Sequence, residues 1–167
     1  MPDSVIVAQR DHLAVASIKA RKGATHSAIG AALGADLPNG PRAAFVGNRT
    51  LVGTGPGAWL VIEERAALDF ADVLQQTLNG LASVSDQSGA YSVHRLSGLG
   101  SRTLLQRGAA IDFHPANFST GSAATTVIEH IGVVLWQVDE QPTYDVATFR
   151  SYAGSFCHWL DKTAAVL

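Results

Sequence analysis

The sequence predicts an α+β fold, with two ferredoxin-like halves forming a mostly antiparallel sheet with flanking helices. Three observations lead there. Each half reads strand, helix, hairpin strands, strand, helix, the order of a ferredoxin-like unit. Short runs of strand-forming residues alternate with stretches of helical apolar period. A shift of 86 residues lays Ala58, Leu60, Ile62, Ala66, Phe70, Val73, Leu74 and Thr77 upon Tyr144, Val146, Thr148, Tyr152, Phe156, Trp159, Leu160 and Thr163, in pattern more than in identity. Chance alignment of two amphipathic strand-helix units is the other account of that match. The organisation expected is a tail over 1–12 and a single domain over 13–167, made of halves 13–82 and 83–165, with 84–98 joining them.

In the first half, Leu13 to Lys19 reads as a strand. A helix follows between Thr25 and Leu33, with Ala28, Ile29, Ala32 and Leu33 on one stripe and Gly34 as a left-handed stop. Ala43 to Val46 and Leu51-Val52 are short strands around the turn pair Gly47-Asn48. Gly53-Thr-Gly-Pro-Gly57 looks at first like a phosphate loop. It precedes a strand, Ala58 to Ile62, whereas a phosphate cradle feeds the amino end of a helix, so a hairpin turn is the better reading. Glu64 to Asn79 reads as an amphipathic helix with Ala66, Phe70, Val73, Leu74 and Thr77 inward, ended by Gly80.

In the second half, Asp86 caps a turn at Ser88-Gly89 and a strand runs from Tyr91 to Leu96. Ser97 is placed to cap a helix from Leu99 to Arg107, with Leu104 and Leu105 inward and Gly108 stopping it. After a loop over Ile111 to Thr120, Ala123 to Glu129 and Gly132 to Val138 form a hairpin. Thr143 to Phe149 is the last strand. Ser151 caps a final helix that turns Tyr152, Phe156, Trp159, Leu160 and Thr163 to one face.

Composition limits the function. Charged residues are 16% of the 167-residue chain, 47% is hydrophobic, and mean hydropathy is +0.14. An ordinary soluble domain carries about 25% charged residues. The undercharged surface predicts cover by another protein, with an alanine-rich monomer as the plainer reading. Net charge is −2 with no basic block, which removes the electrostatic footprint that nucleic acid or an anionic membrane requires. The single Cys157 excludes an intrachain disulfide and a thiolate-rich metal site, and fits a reducing cytoplasm. The first residues lack an export signal, and no 18-residue apolar run predicts a membrane span.

Candidate chemistry is sparse, and we expect no catalytic, cofactor-binding or metal-binding residues on this chain. No serine sits in a nucleophile elbow. Asp112-Phe-His114 offers two possible ligands without a third at recognisable spacing, so loop hydrogen bonding is the better reading. Cys157 lies at the edge of an apolar stripe with no activating cation nearby in sequence, and His158 points outward. In Val133-Val-Leu-Trp-Gln-Val138 both strand faces are apolar, so Trp136 is read first as core, then as partner contact, then as a stacking platform.

Several blocks together resemble one family. Asp86-Gln-Ser-Gly-Ala-Tyr-Ser, Leu96-Ser-Gly followed by Leu104-Leu105, Asp112-Phe-His-Pro115, Ile131-Gly-Val-Val-Leu-Trp-Gln-Val-Asp139, Pro142-Thr-Tyr144 and Arg150-Ser-Tyr-Ala-Gly-Ser-Phe-Cys-His-Trp159 look like the gamma subunit of heterotetrameric sarcosine oxidase. The resemblance spans roughly 55 to 163, and its last block is the most specific. More distantly, the Asp-x-Ser strand, Leu-Ser-Gly helix and following hairpin resemble the folate-binding domains of glycine-cleavage T-proteins. There the hairpin carries an acidic residue, where this chain, aligned through Gly132, has Leu135 and Trp136. A side chain without a carboxylate cannot take a proton in its place.

The resemblance implies a small non-catalytic member of a bacterial, cytoplasmic enzyme that oxidatively demethylates sarcosine to glycine. Its larger alpha and beta subunits would carry FAD, FMN, NAD and tetrahydrofolate, and this chain would support their assembly. Trp136, Tyr144, Arg150, Tyr152, His158 and Trp159 are the candidate partner interface. An independent folate-binding protein of one-carbon metabolism is the rival reading, and a stand-alone protein-binding module is the third.

Overall fold

A computed structural model describes residues 4–167. Its α+β fold has ten strands and four α-helices among the described residues, divided between two compact units, His12–Gly89 and a second one built from residues up to Asp11 together with Ala90–Leu167. Each unit holds one five-stranded antiparallel sheet, so the single sheet envisaged from sequence is in fact two.

The continuous unit is His12–Gly89. It runs β2 (Leu13–Ala20), α1 (His26–Leu33), β3 (Ala43–Val46), β4 (Arg49–Gly55), β5 (Ala58–Glu64), α2 (Phe70–Thr77) and β6 (Ala82–Asp86), with β1 (Ile6–Arg10) reserved for the other sheet. The sheet order β3-β4-β5-β2-β6 is ferredoxin-like with β3 added at one edge. Thr25 caps α1 by accepting from the Ala28 amide, and Gly34 closes it at φ 66 as the left-handed stop expected there. Ile18, Ile29, Leu51, Val61, Phe70, Leu74 and Leu78 form the core. Each such side chain contributes about 1.5–3 kcal/mol by leaving water.

The other unit runs β7 (Tyr91–Ser97), α3 (Gly100–Gln106), β8 (Ala123–Ile128), β9 (Ile131–Asp139), β10 (Thr143–Phe149) and α4 (Ala153–Ala164), after a single 3-10 turn at Arg150–Tyr152. Its order is β1-β7-β10-β9-β8. Position by position this repeats the first sheet: β7 stands for β2, β10 for β5, β9 for β4 and β8 for β3. The place of β6 is taken by β1, which comes from the opposite end of the chain. Leu96, Leu104, Leu105, Phe113, Leu135, Val146, Phe156 and Leu160 fill this core.

The topology makes the internal repeat real and also corrects its register. Phe70 and Leu74 of α2 and their counterparts Phe156 and Leu160 of α4 are all buried, so the 86-residue shift holds on the helices. In the strands it slips by one. Trp59 and Val61 belong to one core, whereas Tyr144 and Val146 belong to the other, so Leu60 and Val146 lie on opposite faces of their sheets. A side-chain period of two makes any one-residue slip a change of face.

Four local expectations are corrected. Residues 1–12 are not a tail: Ile6 to Arg10 pair antiparallel with Ser97 to Val93, because β7 needs a second neighbour and the short apolar run Ile6-Val7-Ala8 supplies it. Residues 1–3 lie outside the described ones. Helix α2 starts at Phe70 rather than Glu64, since β5 continues to Glu64 and Arg65, at φ 52, turns the chain by donating its amide to the His12 carbonyl. Its inward row is accordingly Phe70, Leu74 and Leu78, with Val73 half exposed.

Ser97 stays in β7 and caps nothing. The Gly100 amide at the start of α3 reaches the Ser4 carbonyl instead. Ser151 likewise makes no side-chain cap, because the 3-10 turn precedes α4. Gly108 does end α3, but for want of space: a Cβ there would lie 2.4 Å from the Trp159 ring and 2.8 Å from Ile128. The Gly53–Gly57 segment is a hairpin connection, as expected, and Gly53 passes so close to the Gly40 carbonyl that a Cβ would sit 2.0 Å from it.

Candidate protein interface

The residues singled out for partner contact divide into two groups. Trp136 and Tyr144 are fully buried. Tyr144 meets Phe113 edge-on, with ring centroids 5.8 Å apart, and is also within 6.2 Å of Phe118, so it is a core residue rather than a surface one. Burial holds its hydroxyl above the usual tyrosine range. Trp136 is interior as well, which removes both from an exposed interface.

The others stay together near the carboxy-terminal helix. Arg150, Tyr152 and His158 are exposed, and Trp159 is half-buried, stacked on Phe156 at 6.0 Å. Where β10 ends, Phe149 stacks on Tyr91 of β7 at 5.0 Å with 27° between the rings. Phe149 faces solvent with 48% of its surface, and Tyr152 with 51%. Arg150 ties this corner down: its amide donates to the Ala90 carbonyl at 2.7 Å and its Nη2 to the Tyr91 carbonyl at 2.8 Å. Phe149 and Tyr91 were missed in the sequence because a strand's last residue carries no period of its own, and only the β10–β7 register sets the pair side by side.

Polar groups elsewhere in this unit serve structure. Asp145, in the middle of β10, is 1% exposed and lies between Arg95 of β7, which grips both its oxygens at 2.7 and 2.8 Å, and Arg10 of β1 at 2.8 Å. One carboxylate therefore links three strands by charge-assisted bonds. Asp112 accepts from the His114 amide at 2.9 Å and from the Asn117 side-chain amide, while the Ala116 amide donates to His114 Nδ1. The Asp-Phe-His-Pro block is thus the hydrogen-bonded loop expected, and its Phe113 enters the core. In the unit His12–Gly89, Asp86 caps its turn in the same way, accepting from the Ser88 amide at 2.9 Å, and its hydrogen bonds with Ser88 lower its pKa.

Cys157 has a partner that its place on the helix did not reveal. Its Sγ lies 3.2 Å from Nε2 of His94, which projects from β7 and is 1% exposed. Burial and the nearby Asp161 raise the thiol pKa, which favours the protonated form, and burial lowers that of His94. A depressed histidine pKa means the unfolded chain takes up its proton first. Stability from His94 is complete above its ordinary value of 6.5 and is lost as the pH falls from there through the folded value. We expect the melting temperature to drop between pH 7.5 and 5.5, and His94→Gln to flatten that slope even if it lowers stability throughout. An unchanged slope, followed by circular dichroism, would refute this.

No group of three or more His, Cys, Asp or Glu with metal-binding geometry occurs among the described residues, and none of their helices is long and apolar enough to cross a membrane. The hairpin positions aligned with the T-protein acid, Leu135 and Trp136, are both 0% exposed.

The comparisons with known proteins agree with this fold and with the aromatic block at its end. A family model described as sarcosine oxidase, gamma subunit family, matches residues 18–166. The chain belongs to that family. Among solved structures, this gamma-family chain is similar to one in heterotetrameric sarcosine oxidase from Corynebacterium sp. U-96, in complex with pyrrole 2-carboxylate. Identity is 27%, covering 99% of this chain and 86% of that one, with a TM-score of 0.87. It also shares its fold with glycine cleavage system aminomethyltransferase T from Bartonella henselae, at 11% identity and a TM-score of 0.69, spanning 94% of this chain and 45% of that protein. No curated protein matches the gamma-family sequence. The family match reaches back to residue 18, well before the motifs that carry the resemblance in sequence.

Proposed function

We propose that the chain is the small, non-catalytic subunit of a heterotetrameric sarcosine oxidase, which oxidatively demethylates sarcosine to glycine. Its role is to support assembly with larger alpha and beta subunits that carry FAD, FMN, NAD and tetrahydrofolate. The observation that carries this reading is the likeness at 27% identity to a chain of such an enzyme over 99% of the present sequence. The absence of a carboxylate at Leu135 and Trp136, the protonated thiol of Cys157 and the loop-bound Asp112 and His114 all favour a structural role.

Co-expression with the larger subunits, then size-exclusion chromatography and a sarcosine oxidation assay, tests the proposal. The expected result is co-elution, with loss of soluble, active complex when this chain is omitted. A chain that elutes alone beside a fully active complex overturns it. The T-protein-like fold keeps an independent folate-binding role in view, and calorimetry of the isolated chain with millimolar tetrahydrofolate distinguishes the two, since the assembly role predicts no heat of binding.

A further inference from the structure

β1 serves a unit other than the one its nearest chain neighbours build. Its sheet belongs with residues 90–167, while Asp11 and His12 alone join it to β2. Its bonds reach far along the sequence. Ile6 to Arg10 pair with Ser97 to Val93, Arg10 meets Asp145 at 2.8 Å, and the Gly100 amide donates to the Ser4 carbonyl. Gly98, at φ 103, makes room for that carbonyl, since a Cβ there would lie 2.5 Å from it. Such a seat recognises residues 4–10 of this sequence whichever copy they come from. Two features favour release of the segment. None of the five residues of β1 is fully buried, and Ile6 is 68% exposed at the edge of the sheet. The hinge is two residues long, and in it His12 stands at φ 58, a left-handed conformation uncommon outside glycine. Opening the hinge relieves that strain, and short strained hinges are where identical elements change places between protomers.

We propose that residues 4–10 are an exchangeable arm through which two copies of this chain pair, each laying its β1 on the β7 of the other. The partner is a second copy because the seat is fitted to this sequence. Arg10, opposite Val93, meets the buried carboxylate of Asp145, Val5 and Val7 pack against the core, and Ser4 lies over Gly98. The exchanged dimer closes the same strand pairs and the same two bonds as the monomer, so it needs no surface beyond the seat already built. Concentration and hinge strain therefore set the balance between the two forms.

Size-exclusion chromatography with light scattering, after incubation of the isolated full chain at millimolar concentration, tests the arm. The expected result is a dimer fraction that rises with concentration. Ile6→Cys with Ser97→Cys, a directly opposed pair, reads its origin in a Cys157→Ser chain. After oxidation the dimer peak is expected to remain a covalent dimer in a denaturing gel, and the monomer peak to remain a single chain. His12→Gly, and separately an insertion of three glycines between Asp11 and His12, relax the hinge and are each expected to lower the dimer fraction at least threefold. Should the cysteine pair melt unlike the unaltered chain by circular dichroism, the hinge variants decide. A chain that is monomeric throughout, a dimer whose bridges all close within single chains, or hinge variants that dimerise like the unaltered chain overturns the exchange. The subunit role proposed above is read separately, in the presence of the larger subunits.

Discussion

Removing residues 1–10 is expected to unfold the unit built from residues 90–167 while the unit from His12 to Gly89 stays folded. The deletion takes away β1, whose five residues pair with Val93 to Ser97, and with it Val5 and Val7, which pack against that unit's core. It also removes the carbonyl of Ser4 that receives the first amide of α3, and Arg10 from the buried carboxylate of Asp145. Partial burial of two valines and one charge-assisted bond together stabilise by about 3 kcal/mol or more, a large share of the stability of a small unit. What is left exposes the edge of β7, a seven-residue strand with a strong tendency to pair with another chain. Hydrogen exchange resolved by segment should show protection retained in β2, β4 and β5 and lost in β7, β9 and β10, with self-association by light scattering. A truncated chain that is monomeric and protected in both units would refute the account.

Asp145→Ala is expected to cost about 3 kcal/mol, near the lower end of the range for breaking a buried charge pair. The reason for the lower end is the arginines. Arg10 and Arg95 retain 14% and 35% side-chain exposure, so once the carboxylate is gone both can turn toward water rather than remain buried and unpaired. Arg10→Ala should cost less, about 1 kcal/mol, because Arg95 still holds both oxygens of Asp145. Urea unfolding measures both. A loss below about 1 kcal/mol for Asp145→Ala would mean that the three-strand junction is not a principal support of the sheet.

Much of the fold was legible because its signals are local. Thr25 and Gly34 bracket α1 by their own chemistry, Thr143 to Phe149 has the composition of a strand, and the apolar run around Trp136 marks a strand buried on both faces. What escaped is non-local. The pentapeptide Ile6 to Arg10 is too short to announce a strand, and its partner lies in the other half of the sequence. The start of α2 was misplaced since helix-favouring residues fill the stretch before Phe70, while the turn at Arg65 depends on a carbonyl at His12. Of the residues considered for partner contact, Trp136 is buried, in line with its first reading as core, and Tyr144 is buried too, because an aromatic residue looks the same in a core as in a contact. One available sign went unused: an aspartate in the centre of an apolar strand, as at Asp145, demands a buried cationic partner.

The origin of β1 also sets an order of events during synthesis. β1 leaves the ribosome before the other strands of its sheet, yet Ile6 stands 91 residues ahead of Ser97, the residue it must pair with. In that interval the whole of His12–Gly89 is made, and its sheet closes from one unbroken segment. β1 meanwhile waits for a distant edge, and contacts of such wide sequence separation form slowly. Completion therefore runs from the continuous unit to the one that recruits its strand from residues 6–10.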